Sequence, residues 1–439
     1  MNDDPNDDLY AALDRAAAEH ADWLVAIRRH LHAHPELSNR EHQTAAYVAD
    51  RLRELGLDEV RTGIAGHGVV GVLRGGLPGD RVVALRADMD ALPVRETSGL
   101  DFASAAIDAD YPGGPFPVAH ACGHDCHTAV VLAAARVLAD LRDRLPGTVV
   151  FIFQPAEEGA PVGEVAGARA MLDAGALDGI EPTMVFAMHV TFHPKGLVGY
   201  HVGNQYAAAC RTKVVVRGTQ AHGSSPWLGV DPMPAAAQIV LGIGQLYRQV
   251  PAASPVTVSI GHVEDVGRFN ILGDTVTLWG TIRASRDQDL AVLQARYARL
   301  AEESAAAYGC TAEVSYEWEI PAVHNSQEWI DATLPTLERV VGADNVVATE
   351  AFLGSDDMAE FVRAYGGVYL TYGVQDTRLD GAEVVPVEGG RGMAPNHHPA
   401  FYADEPSLAG SVRAHVHVAV DHLLGVMPDR MQPGASSSG

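Results

Sequence analysis

Apolar residues recur every three or four positions between residues 20 and 56, with Trp23, Leu24, Ile27 and Leu31 on one face. The spacing predicts a helix there, a turn at His34-Pro35, and a second helix over 41–55 closed by Gly56. From Val69 the pattern changes. Short apolar runs at 68–73, 81–86, 147–153 and 183–189 alternate with helical stretches such as 128–145 and 163–173, which is the signature of an α/β sheet. Such sheets bind ligands at the carboxyl ends of their strands, and Asp88, Asp90, Glu157, Glu158 and His189 all fall at such ends.

Between 209 and 322 the order becomes strand 211–217, helix 232–248, strands 256–263 and 275–283, helix 290–308 and strand 312–319. That βαββαβ sequence is the ferredoxin-like arrangement. The chain then returns to the first pattern with a helix over 326–341, the acidic turn Gly354-Ser-Asp-Asp357, a strand over 367–372 and a helix over 405–424. The prediction is an α/β protein: a catalytic α/β/α sheet domain in two parts, 1–208 and 323–427, with an inserted ferredoxin-like domain at 209–322. Residues 428–439 have linker composition and are expected to be a disordered tail.

Composition narrows the function classes. The chain has 439 residues, 47% hydrophobic and 20% charged, enough for two domains with sizeable cores. Its 31 basic against 56 acidic residues leave a net charge of −25, which repels nucleic acid and anionic membrane surfaces. Met1 to Asp8 is acidic where a targeting peptide is basic and then apolar, and no long apolar run follows, so a soluble cytoplasmic protein is expected. Four scattered cysteines, Cys122, Cys126, Cys210 and Cys310, do not make a disulfide framework. Neither a Gly-x-Gly-x-x-Gly turn opening a helix after a strand nor a phosphate-binding Gly-Lys-Ser/Thr loop occurs, which disfavours nucleotide enzymes.

Candidate chemistry gathers in two places. His120, Cys122, His124 and His127 precede the predicted helix at Thr128, and a thiolate with neutral imidazoles is the donor set of zinc and neighbouring first-row metals. Cys126 reads as a bystander. The run Thr148 to Pro155 stops at a proline and presents Glu157 and Glu158; an extended backbone would point them to opposite sides, one to ligate and one to move protons. Asp88 and Asp90 fit equally a carboxylate that orients a ligating imidazole and a cap of the turn before Pro93. His189 and His397 are weak signals alone.

Six segments in order, Arg29 to Leu37, Arg86-Ala-Asp-Met-Asp-Ala-Leu-Pro93, His120-Ala-Cys-Gly-His-Asp-Cys-His127, Phe153-Gln-Pro-Ala-Glu-Glu-Gly159, Ala221 to Pro226 and His397-His-Pro399, together resemble metallopeptidase family M20. The resemblance spans about residues 20–425 and is to its amidohydrolase branch, that of hippurate hydrolases and indole-acetyl-amino-acid hydrolases. It implies that Cys122, His124, Glu158, His189 and His397 hold two divalent metal ions per subunit, zinc or manganese first with cobalt or nickel open, the Cys122 thiolate bridging. Glu157 becomes the general base and acid, and Asp90 supports the ligands from behind. The inserted domain becomes a lid and the surface of a homodimer, with His222 reaching the neighbouring subunit's site to stabilise the oxyanion, and Asn270 and Arg283 binding the substrate carboxylate. The implied reaction is hydrolysis of an N-acyl amino acid by a hydroxide bridging the metals. A carboxypeptidase or dipeptidase is the alternative within the family. A metal-binding relative without turnover is the alternative outside enzymes, and intact Glu157 with all five ligands speaks against it. Phe269-Asn-Ile-Leu-Gly-Asp274 and Gly354-Ser-Asp-Asp-Met358 depart from the family's usual segments, which leaves the substrate open.

Overall fold

The apolar runs become strands of one eight-stranded sheet in the computed structural model, which describes residues 6–429. The tail expected at 428–439 lies outside that range apart from its first two residues. In spatial order the strands are Glu59–Ile64, Gly68–Arg74, Pro146–Gln154, Leu77–Asp88, Met184–Pro194, Gly367–Gln375, Val198–Tyr200 and Val346–Ala348. Leu77–Asp88 pairs in parallel with both its neighbours, and Gly367–Gln375 is parallel to Met184–Pro194. Central parallel strands are covered on both faces, which is why these segments read as continuous rather than alternating apolar runs. Phe151, Phe153, Phe186 and Leu85 are fully buried.

The helix His124–Asp140 packs on Leu77–Asp88 and against the helices Ala21–Ala33 and Leu408–Leu423. Almost its whole circumference is buried, as an apolar helix without a polar face requires. It begins at His124, four residues before the predicted start at Thr128. Gly123 makes the difference: it caps the helix at φ +91°, and a Cβ there would stand 2.3 Å from Val190 Cγ2. His124 and His127 are therefore one turn apart on a single helix face. Several elements were not predicted from the sequence, among them the strands Val198–Tyr200 and Val346–Ala348 and the helix Met358–Tyr365. Asp7–Glu19 is a helix whose Leu9, Tyr10 and Leu13 are buried, and Glu59–Ile64 is an edge strand with no alternation to mark it.

Residues up to 203, 325–349 and from 360 onward form one compact unit, and 204–324 with 350–359 form a second. In the second unit Ala208–Arg217, Pro232–Ile243, Val256–Asp265, Thr275–Ala284, Asp287–Ala307 and Thr311–Ile320 follow one another as strand, helix, strand, strand, helix and strand. The four strands make an antiparallel sheet in the order second, third, first, fourth: Val256–Asp265, Thr275–Ala284, Ala208–Arg217, Thr311–Ile320. Its two helices bury Ile239, Leu293 and Tyr297 in a core of its own. Residues 350–359 join this unit through Phe352 N to Gln205 O, 2.7 Å, and Ala207 N to Gly354 O, 2.8 Å.

Candidate active site

Four segments of the first unit bring donors together: the helix start at 122–127, the turn after Pro146–Gln154, the middle of Met184–Pro194 and the loop at 396–397. Cys122, His124 and His189 offer ligand atoms all within 4.8 Å of one another, and so do Cys122, Glu158 and His397. The two triads share one thiol. Donors of a tetrahedral zinc-like ion, each roughly 2.0–2.3 Å from it, are separated by roughly 3.3–3.8 Å. Cys122 Sγ to His189 Nε2 at 3.5 Å falls in that range, and His397 Nε2 to Glu158 Oε1 at 3.0 Å falls just short of it.

Hydrogen bonds decide which ring nitrogens can ligate. His189 donates from Nδ1 to Val190 O at 2.8 Å, which leaves the Nε2 lone pair toward Cys122. His124 Nδ1 lies 3.2 Å from Asp90 Oδ1 and donates to it, so its Nε2 lone pair faces Glu157 and Glu158 at 3.8 and 3.9 Å. Both follow the pattern in which an outer acceptor sets the tautomer of a metal ligand. His127 differs. Its Nδ1 donates to Asp88 Oδ1 at 2.6 Å while its Nε2 accepts from Val190 N at 2.8 Å, so neither nitrogen is left to ligate. Asp88 is equally committed, its Oδ2 accepting from Arg86 at 2.6 Å. His127 and Asp88 thus hold the strand beside His189. His120 is buried beside Cys122 but joins neither triad, and burial pushes it down to about 4.

The glutamate pair departs from the expectation of opposite faces. Beyond Pro155 the backbone turns: Ala156 sits at φ +54°, a left-handed conformation costing a non-glycine residue on the order of 1–3 kcal/mol. Ala156 N donates to Glu41 Oε1 at 2.8 Å, Glu157 N to Asp90 Oδ1 at 3.2 Å and Glu158 N to Asp90 Oδ2 at 3.0 Å. Both glutamate carboxylates consequently flank the same imidazole of His124.

The cluster suits cations. Nε2 of His124 is buried with no hydrogen-bond partner among the described residues, as a lone pair directed at an ion would be. Burial and the carboxylates of Glu158, Glu157 and Asp88 hold the Cys122 thiol well above its ordinary range, and burial with the neighbouring histidines His127 and His124 holds His189 well below its own. Against burial, Asp88 and Asp90 push His124 up to about 10. Burial and the Asp90 charge push Glu41 up to about 8. Several carboxylates, those of Asp88, Asp90, Glu157 and Glu158, crowd around these donors, and divalent cations would offset their negative charge. The thiolate, imidazole and carboxylate set is compatible with zinc, manganese, cobalt or nickel.

Three residues named from the sequence lie in the second unit. His222 is exposed on the short ribbon Ala221–His222, paired with Ile271–Leu272, and Ser224 N donates to its Nδ1 at 3.0 Å. The neutral ring therefore carries its proton on Nε2. Asn270 is exposed beside it in sequence-paired contact, its carbonyl accepting from Gly223 N at 2.9 Å. Arg283, on Thr275–Ala284, donates from Nη1 to Ser355 Oγ at 2.9 Å and to Leu353 O at 3.4 Å.

Sequence reasoning missed two supports. Asn396 Nδ2 donates to Cys122 O at 2.9 Å and Val190 O at 3.0 Å, tying together three donor segments, since His397 follows it directly. Its place before the His-His-Pro run was the available signal. Glu41 had none, because nothing in its neighbourhood of the chain announces a contact 115 positions away.

The fold and the donor set define a mixed α/β protein with candidate sites for two metal ions, the frame of a metal-dependent hydrolase. The chain belongs to peptidase family M20/M25/M40, whose sequence profile matches residues 84–419. It is 34% identical over 417 residues to thermostable carboxypeptidase 2 of Saccharolobus solfataricus, covering 94% of this chain and 98% of that protein. It is 32% identical over 399 residues to an N-acetylcysteine deacetylase of Bacillus subtilis, covering 90% and 96%. Among solved structures, a dinuclear metal binding peptidase from the M20 family, also of Bacillus subtilis, superposes with a TM-score of 0.71 at 31% identity, covering 93% of this chain and 99% of that one. No helix among the described residues is long and apolar enough to cross a membrane.

Proposed function

We propose that this protein hydrolyses the amide bond between an acyl group and the α-amino nitrogen of an amino acid, with two divalent cations held by Cys122, His124, Glu158, His189 and His397. The carrying observation is the pair of donor triads sharing the Cys122 thiol beside a glutamate, Glu157, that belongs to neither of them. Bound there, the cations supply Lewis acidity toward the scissile carbonyl and the attacking water. Glu157 lies on the same side of His124 as Glu158, so its carboxylate takes the proton from the water and delivers it to the amine nitrogen as the carbon–nitrogen bond breaks. Asp90 orients His124 and fixes both glutamate amides. His222 donates its Nε2 proton to the developing oxyanion, and its exposure on the second unit supports action on the site of a neighbouring subunit in a homodimer. Asn270 and Arg283 receive the substrate carboxylate, for which a guanidinium is suited by its paired donors. Four buried, unpaired cysteines support a reducing compartment, the cytoplasm.

A carboxypeptidase reading draws support from the 34% identity to thermostable carboxypeptidase 2 and uses the same residues. A substrate panel separates the two. The protein is stripped with a chelator, reloaded with zinc, manganese or cobalt, and assayed on N-acetyl-amino acids, N-benzoyl-amino acids and free dipeptides. Turnover of the acyl-amino acids above the dipeptides is expected; turnover confined to dipeptides would reject the proposal in favour of a peptidase.

A further inference from the structure

We propose that the tetrapeptide Ser38-Asn-Arg-Glu41 is the element that positions Glu157, with Glu41 as its principal residue. The inference rests on the reading of Glu157 as proton carrier. Glu157 sits on a turn whose preceding residue, Ala156, holds a left-handed backbone at φ +54°, and that amide is bound by Glu41 Oε1 at 2.8 Å. The middle of the turn is bound by Asp90, which itself accepts Ser38 Oγ at 2.6 Å. Downstream, Glu164 accepts from Arg40 Nη1 and Nη2 at 2.8 and 2.7 Å and from Asn39 Nδ2 at 2.6 Å. Four consecutive residues thus grip the turn before, at and after the glutamates.

Helix capping does not account for Glu41. It occupies the N-cap position of His42–Glu54, where a carboxylate ordinarily accepts the amides of its own helix, yet it makes no such bond. Glu36 caps that helix instead, accepting Gln43 N at 2.9 Å and Thr44 N at 2.8 Å. Glu41 is fully buried, and the partners of its Oε1 are Ala156 N and Asn39 N, the latter at 2.9 Å. A buried carboxylate released from its own helix and turned onto the backbone next to Glu157 acts on that backbone. A misplacement of about 1 Å at a reacting group costs about a hundredfold in rate.

The test compares Glu41→Ala, Glu41→Gln, Arg40→Ala and Glu157→Gln in the metal-loaded protein, on N-acetyl- and N-benzoyl-amino acids, with metal content and melting temperature measured alongside. Glu41→Ala is expected to lose roughly ten- to a hundredfold in kcat with KM nearly unchanged and both metals retained. Glu41→Gln keeps the accepting oxygen and is expected to restore kcat to within about fivefold of wild type, and the acid limb of kcat/KM to move in the alanine variant only. Arg40→Ala, on the partly exposed limb, is expected to lose roughly threefold or more in kcat. Wild-type kcat in Glu41→Ala, or a loss that glutamine does not rescue, overturns the proposal. Should Glu41→Ala fail to fold, Arg40→Ala decides, and unchanged kcat overturns it. Glu157→Gln keeps the two readings apart: if it retains turnover the proton-carrier assignment fails, whereas a dead Glu157→Gln beside a fully active Glu41→Ala sinks only the positioning role.

Discussion

In the donor cluster of the first unit, His124 and His189 each commit one ring nitrogen to a buried acceptor, and the turn carrying Glu157 and Glu158 is bound at three successive amides. The His222 ribbon of the second unit shares only the first of these devices. Ser224 fixes the His222 tautomer, but the ring is exposed, as are Asn270, Phe269 and Trp227 around it. Orientation by hydrogen bonding is thus common to both, and exclusion of water belongs to the His124 and His189 side of the first, since His397 is itself exposed. Dry surroundings strengthen every charge interaction, whereas an exposed imidazole gains such strength only once something covers it. An exposed Phe269 at 93% and Trp227 at 76% in the segments flanking that ribbon point the same way, because apolar groups clustered in the open mark a surface that meets a partner or substrate.

The largest effect is expected at Glu157. Glu157→Gln is expected to keep both metals and lose about a hundred- to ten-thousandfold in kcat, read by steady-state kinetics beside elemental analysis; near wild-type turnover would remove the first unit's claim to the proton transfer. Next comes the scaffold under the donors. Asp125 accepts from Arg28 Nε and contacts His32 Nδ1, both at 2.8 Å and all three buried. Asp125→Asn leaves the Arg28 charge without its buried partner and is expected to cost about 3–5 kcal/mol of stability in denaturant melts. Although burial opposes it, Arg28 and His32 hold the Asp125 carboxyl well below its ordinary 3.8. A depressed carboxyl contributes its full stabilisation above the unfolded value, so the gap between wild type and variant should be flat above about pH 5 and close as pH falls below that value. A gap that instead widened in acid would contradict the pairing.

His222→Ala tests the exposed ribbon of the second unit. It is expected to lose about a hundred- to a thousandfold in kcat with metal content and stability unchanged, because the residue belongs to the exposed half. Mixed dimers of His222→Ala with Glu157→Gln should regain part of the activity if the residue serves the neighbouring site; failure to do so would place it within its own subunit. The smallest change is expected from Asp90→Asn, which should weaken metal binding by about ten- to a hundredfold in chelator competition, since Asp90 acts through His124 and the two glutamate amides.

Legibility from the sequence follows the same division. Central strands and the buried helix were visible because burial on both faces writes continuous apolar runs, and the donors were visible because cysteine, histidine and paired glutamates at strand ends are chemically unusual neighbours. The edge strand Glu59–Ile64 has no alternating pattern, and the helix Asp7–Glu19 is mostly alanine and charge, so neither stood out. The turn at Ala156 was hidden for another reason: its conformation is imposed by Glu41 and Asp90, which lie far off along the chain. Whether His127 ligates or supports was equally invisible, because Asp88 and Val190, which settle its two nitrogens, reach it only through the folded sheet.

Asn396 gives this architecture a timetable. Its side-chain amide binds the carbonyls of Cys122 and Val190, and it immediately precedes His397, so the second donor triad closes only when a segment roughly 200 residues beyond His189 has arrived. At about 5–20 residues per second on the ribosome, that interval is roughly 10–40 s. Throughout it the nascent chain has made the thiol but not the loop that completes its surroundings. Completion of the second candidate metal site is therefore a late event in the folding of each molecule, whereas the donors of the first, Cys122, His124 and His189, are all synthesised roughly 200 residues earlier.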